Sequence, residues 1–253
     1  ISALMAVVSL LLIIGFVFYK GLIPFVSEGY SFIDFIFGTE WLPSSKQFGI
    51  GSMIVTSMVA TIGALIIGVP IGILSAIFIA EICPKKYAKI ISTAVELLAG
   101  IPSVLYGIFG LAVIVPAIQT VLNLPKGQSL LAVIIVLAIM MLPTIISLSE
   151  TSIRAVPKSY KEGSLALGAS KIETIFKVTV PAAKSGILAG VILGIGRALG
   201  ETMAVILVAG NSTAMPTSLL DSARPLTTNI ALEMGYAAGT HQNMLFATGV
   251  VLF

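Results

Sequence analysis

Long uninterrupted apolar runs constrain this chain more than any other feature. They fall at about 1–19, 50–80, 93–122, 129–149 and 183–210, and a further run opens near 243. Each of the first five is close to or above the roughly 20 residues that a helix needs to cross a bilayer. Barrel strands would alternate apolar and polar residues over about ten positions, and these runs are continuously apolar instead. The expectation is an all-α polytopic membrane protein with six transmembrane helices, the sixth truncated. Its composition agrees: charged residues are only 10% of the 253 positions, against about a quarter in soluble domains. The chain opens at Ile1 inside one apolar run and stops at Phe253 inside another, so it reads as a fragment lacking both termini.

The runs 50–80 and 93–122 exceed one span, which predicts tilted or broken helices with Pro70, Pro102 and Pro116 as candidate kinks. Orientation follows from lysine and arginine. The connections after the second and fourth runs hold nine, from Lys85 to Lys184, against Lys20, Lys46, Lys126 and Arg224 on the other side. Residues 81–92 and 150–183 are therefore expected in the cytoplasm, with both ends of the intact chain inside. Residues 1–49 read as a first span plus an outer interfacial segment, and 50–253 as the core.

Several functions are argued against by what the sequence lacks. Cys83 is the single cysteine and His241 the single histidine, so no disulfide, metal centre or cofactor is expected. His241, in a polar stretch, reads as a surface residue. There is no G-x-x-x-x-G-K-[ST] loop, so the chain is not expected to be an enzyme, and any ATP must be hydrolysed by a partner. No nucleic-acid partner is expected. Glu96 and Glu150, at span ends, read as solvated end groups.

The 150–183 connection is patterned. Ser159 with Glu162 and Ser170 with Glu173 both have capping-box spacing, which predicts two helix starts eleven residues apart. Gly168 between them suits a left-handed helix terminus, and Pro181 is poorly tolerated inside a continuing helix. Ile172, Ile175, Phe176 and Thr179 would share one face of the second helix. Such a helix–turn–helix either caps its own bundle or docks a partner. The stretch Glu162–Pro181 also resembles the EAA loop of permease subunits in ABC importers: E-A-A, three residues, Gly, nine residues, I-x-L-P. Glu162, Gly168 and Pro181 match, with Gly163 and Ser164 for the alanines and Val178 and Val180 for Ile and Leu. That resemblance implies a coupling helix, with Glu162, Gly168, Ala169 and Ser170 as its coupling residues, seated in a separate ATPase subunit.

Two further stretches, ELLAGIPSVLYGIFGL (96–111) and GRALGETMAVILVAGN (196–211), resemble permease subunits of the phosphate-specific (Pst) importers, and GETMAV followed by Gly-Asn resembles the PstC type. The resemblance extends from about residue 50 onward. It implies the type I ABC importer permease fold, a prokaryotic plasma (inner) membrane location, and three kinds of partner besides the lipid bilayer: a PstA-type second permease, a PstB-type ATP-binding dimer and a PstS-type phosphate-binding protein.

Arg197 and Glu201 are then the costly residues, because each charge near the bilayer centre costs about 2.5 to 3.5 kcal/mol on insertion scales. On a continuous helix Gly190, Gly194, Arg197, Glu201 and Ala204 form one stripe. One reading is mutual neutralisation beside glycines that permit close packing. The other is that Arg197 contacts the permeating anion, Glu201 holds Arg197 between passages, and Thr202 donates a hydrogen bond. The expected function is the permease subunit of an ATP-driven phosphate importer. The alternatives are an ABC permease for molybdate or sulfate, and a secondary transporter using Glu201 as a proton relay.

Overall fold

The computed structural model describes residues 2–253. Helix α1 (Ser2–Ser27) is followed by α2 (Phe32–Phe37), whose cap Ser31 accepts the Asp34 N–H at 3.2 Å. Two-residue strands β1 (Trp41–Leu42) and β2 (Gln47–Phe48) pair antiparallel, with Trp41 opposite Phe48. Helix α3 (Gly51–Ile77) passes through Pro70 without a break and widens into a π-turn at Phe78–Ile82.

The run 93–122 is not one helix. An amphipathic helix α4 (Lys85–Ala99) ends before Pro102, and a separate span follows. That span is α5 (Ser103–Phe109), a π-turn at Gly110–Ile114 and α6 (Val115–Val121), with Pro116 in the first turn of α6. Pro102 therefore breaks its run, as a proline lacking an N–H does where nothing restores the ladder. Pro70 does not break α3, which shows that a proline within a span is tolerated when the surrounding turn accommodates it.

Next come α7 (Leu130–Arg154), α8 (Lys158–Ala166), α9 (Lys171–Thr174), a π-turn at Ile175–Thr179 and α10 (Val180–Ala182). The chain closes with α11 (Lys184–Gly200), α12 (Met203–Val208), α13 (Leu226–Glu233) and α14 (Thr240–Leu252). Among the described residues four helices are long and apolar enough to cross a membrane: Ser2–Ser27, Gly51–Ile82, Ser103–Val121 and Leu130–Arg154. The pair Lys171–Ala182 and Lys184–Gly200, bent by 68°, makes a fifth if taken as one span. The run near 243 forms the 13-residue α14, shorter than a span.

Two compact units emerge. One comprises the chain up to Ala60, Gly110–Val133 and Thr202–Phe253. Its core joins Phe35, Trp41, Phe48, Ile50 and Met53 to Leu226, Met244 and Leu245, and α1 lies along α14 with Phe16 edge-on to Phe246 at 5.5 Å.

The other unit comprises Thr61–Phe109 and Ile134–Glu201. Its organising element is α7, whose Met141, Ile145 and Ile153 are fully buried. Two rows of glycine let helices approach it closely, as small residues do where lipid supplies no hydrophobic drive. A methyl group at Gly63 would stand 2.7 Å from Ile134, and one at Gly72 would stand 2.7 Å from Ile145. On α11, Gly190 and Gly194 meet Leu148 and Ile145 at 3.1 and 3.2 Å by the same measure.

Candidate functional site

The fifth run is interrupted at its charged residues. Helix α11 ends at Gly200, Glu201 turns into extended backbone (φ −71°, ψ 128°), Thr202 is non-helical (φ −122°, ψ −55°), and α12 starts at Met203. The expected continuous stripe is therefore corrected. The buried face of α11 is Ile187, Gly190, Gly194 and Ala198, with half-buried Arg197 beside it, and Ala204 belongs to a separate helix. Gly196 and Gly200 weaken the last turns, since glycine costs about 1 kcal/mol relative to alanine in a helix.

The break changes the electrostatics of the pair. Arg197 lies in the last turn of α11, where the unpaired carbonyls concentrate partial negative charge and a cation is favoured. Glu201, at the cap, meets that same charge unfavourably, and its N–H reaches the Ala198 carbonyl at 3.4 Å. Tyr106 is buried, and its hydroxyl donates to the Leu98 carbonyl at 2.8 Å. Thr202 contributes its carbonyl to α12 by accepting the Ile206 N–H at 3.0 Å. Beyond α12, Gly210 and Asn211 both take left-handed backbone (φ 76° and 63°), and Asn211 Nδ2 donates to the Ile206 carbonyl at 2.9 Å. The Gly-Asn dipeptide is thus a helix terminator made from the two residue types that best tolerate that conformation.

The 150–183 connection folds as helix, glycine turn, helix. Gly168 has φ 85°, and Ser170 and Glu173 form the full reciprocal capping box. The first box is absent. Helix α8 starts after Pro157, whose fixed φ (−55°) already suits a helix start, so Ser159 falls inside the first turn and caps nothing. Pro181 does not end the second helix: the π-turn before it, closed by the Val180 N–H on the Ile175 carbonyl, carries the chain through to Ala182. That wider turn also alters the expected face. Thr174, Ile175 and Thr179 point inward, whereas Ile172 and Phe176 are exposed. They join Tyr160, Leu165 and Leu167, the last 90% exposed, as bare apolar surface on this connection. Glu162 is exposed, Ala169 half-buried, and Ser164 Oγ lies 2.9 Å from Thr174 Oγ1, stapling the two helices.

The Glu173 carboxyl is held below its ordinary value of 4.5, first by the Ser170 backbone N–H and then by the Ser170 hydroxyl and Lys177. A lowered value means that the cap contributes its full stability above about pH 4.5, the ordinary value, and loses it as pH falls through the folded value. Hydrogen exchange of the Ser170 amide is expected to accelerate on acidification across that window. Unchanged exchange between pH 6 and pH 3, after correction for intrinsic rates, would contradict it.

Residues 68–253 match the family described as the binding-protein-dependent transport system inner membrane component. The chain belongs to this family. The permease is 42% identical over 254 residues to a probable ABC transporter permease protein, YqgH of Bacillus subtilis, covering 99% of this chain and 82% of that one. It is 38% identical to the phosphate transport system permease protein PstC of Mesorhizobium japonicum, over 89% of this chain and 74% of the relative. PstC of Haemophilus influenzae is 37% identical, over 87% and 76%. Among solved structures, the MetNI methionine ABC transporter in inward-facing conformations overlays with a TM-score of 0.53 at 20% identity, over 81% of this chain and 87% of that one. The permease therefore has the all-α type I ABC importer permease fold, is a multi-pass membrane protein, and is a transport component rather than an enzyme.

Two polar clusters of the permease were not legible in its sequence. Glu150 is buried rather than solvated: it accepts from Ser92 Oγ at 2.9 and 3.0 Å and from Arg154 Nε at 2.8 Å. Only the i, i+4 spacing of Glu150 and Arg154 hinted at this. In the first unit, Glu233 is buried and binds three groups. Arg224 Nη1 donates to Oε1 at 2.7 Å, Trp41 Nε1 donates to Oε2 at 2.8 Å, and His241 Nε2 lies 2.8 Å from the same Oε2. His241 is thus largely buried rather than a surface residue. Glu96, by contrast, is exposed.

Proposed function

We propose that this permease is the PstC-type subunit of an ATP-driven importer of inorganic phosphate in the plasma (inner) membrane of a prokaryote. The observation that carries the reading is the interruption of α11 at Gly200–Thr202, beside Arg197. Non-helical backbone at membrane depth is tolerated only where it is buried in protein or lines a wet cavity, which favours a path at this point. The carbonyl end of α11 carries roughly half a negative charge and would repel an anion on its own; the full positive charge of Arg197 outweighs it. A guanidinium also fits two phosphate oxygens at once. Glu201 competes for Arg197 and keeps the anion from being held too tightly, and Thr202 supplies a hydroxyl to the passing oxyanion. The relatives named for phosphate transport support the choice of substrate.

In this reading residues 1–49 add a first span and outer segment to a permease core at 50–253. The 150–183 connection faces the cytoplasm, as do both ends of the intact chain. There Glu162, Gly168, Ala169 and Ser170 shape the docking element, and its bare apolar residues meet a PstB-type ATPase dimer. A PstA-type permease completes the path, and a PstS-type protein delivers phosphate from outside.

The test is uptake of labelled phosphate by the complete complex in proteoliposomes, with arsenate, sulfate and molybdate as competitors. ATP-dependent uptake inhibited by arsenate alone is expected. Uptake of sulfate or molybdate in preference would transfer the permease to another oxyanion. Uptake driven by a proton gradient without ATP would make it a secondary transporter.

A further inference from the structure

The docking connection is tied to the span Gly51–Ile82 by a specific polar clamp, and we infer that the Glu81–Lys161 ion pair is the positioning contact through which movement of the ATPase-docking helix reaches that span. The inference rests on the importer reading and adds to it the residues that transmit the stroke.

The clamp begins in a backbone defect. In the π-turn at Phe78–Ile82 the Cys83 N–H bonds back to the Phe78 carbonyl at 2.8 Å. The next carbonyl, Ile79, would take its partner from residue 84 in the same pattern, but Pro84 has no N–H. Ile79 is buried, and an unpaired buried carbonyl is costly. Arg154, at the end of α7, supplies the missing donor: Nη2 reaches the Ile79 carbonyl at 3.2 Å. Its Nε is held by Glu150, which Ser92 of α4 holds in turn. The ends of α3 and α7 and the middle of α4 are thereby fixed together around one proline-imposed gap.

Glu81 lies in the same π-turn and pairs with Lys161 of α8, the residue immediately before Glu162 of the docking element. Their side chains are only 12% and 25% exposed, so the pair is shielded from solvent in a way that surface pairs are not. Ser164 and Thr174 staple α8 to α9, so the docking helices move as a piece and Lys161 carries that movement to Glu81. π-turns inside helices are frequent at functional sites. Displacement of α8 is thus delivered to the end of the span that Arg154 ties to α7.

The experiment compares anion transported per ATP hydrolysed in proteoliposomes holding the complete complex. Lys161→Met is expected to lower this ratio about ten-fold, a magnitude typical of coupling between sites, with ATP hydrolysis and subunit assembly retained. Lys161→Arg keeps the ratio, and the exchange Glu81→Lys with Lys161→Glu recovers most of it. Glu81→Asp keeps the charge but withdraws it by one methylene, so it avoids an unpaired group and is expected to lower the ratio about three-fold. An unchanged ratio in both Lys161→Met and Glu81→Asp overturns the inference, as does an exchange variant no better than its parents. Wild type is assayed with phosphate, sulfate and molybdate, and the ratio is taken for whichever anion it moves. Failure of the phosphate reading is therefore seen in wild type, and failure of the clamp is seen in the variants.

Discussion

Replacing Arg197 with alanine is expected to reduce phosphate uptake by about a hundred-fold or more, because removing one side of a desolvated charge-assisted contact costs about 3 kcal/mol or more. Lysine keeps the charge but loses the planar fork, so Arg197→Lys is expected to recover only part of the loss, with the larger change in KM. Labelled uptake in proteoliposomes matched for permease content measures both. The exchange Arg197→Glu with Glu201→Arg separates the two roles of the pair. If uptake returns to the wild-type rate, mutual neutralisation suffices and contact between Arg197 and the anion is refuted. The position of Arg197 in the last turn of α11 sharpens that test. In the exchanged protein one cation and one anion still share the negative end of the helix, so a loss of uptake would not follow from the helix charge alone.

The second large effect concerns assembly. Ile172 and Phe176 are exposed on the 150–183 connection, so changing both to glutamate disturbs no buried contact and is expected to leave thermal stability unchanged. In an interface with the ATPase they would place two charges against apolar surface, and anchors of this kind carry about 2 kcal/mol or more each. Association with the ATPase subunit is expected to weaken at least about a hundred-fold, measured by titration in detergent or nanodiscs. Unaltered association would show that these residues face lipid or solvent, and the docking face would have to be sought elsewhere on the connection.

What the sequence made legible followed chemistry local to a few residues. The apolar runs, the left-handed Gly168 and the Ser170–Glu173 box each depend on contacts within about a turn, and each formed. The failures share one cause: hydropathy and spacing record transfer energies and not where backbone hydrogen bonds go. Residues 183–210 are apolar throughout apart from a few positions, yet the helix stops at Gly200. The Ser159–Glu162 spacing is as good as its neighbour, yet Pro157 sets the helix start first. The π-turns at Phe78–Ile82 and Ile175–Thr179 turned residues to faces that a 3.6-residue period does not predict. Contacts between distant residues, such as Glu81 with Lys161 and Trp41 with Glu233, left no mark in any local pattern.

The Glu233 cluster has a practical consequence. Trp41 is the only tryptophan in the chain, and its indole N–H is spent on a buried carboxylate shared with His241 and Arg224. Indole emission responds strongly to the loss of such a bond and to entry of water. Any transport step that pulls the β1–β2 hairpin away from α13 will therefore shift the fluorescence of a single native chromophore. Residues 1–253 carry their own optical reporter for such a step, readable without a label whenever every other segment of the complex is made free of tryptophan.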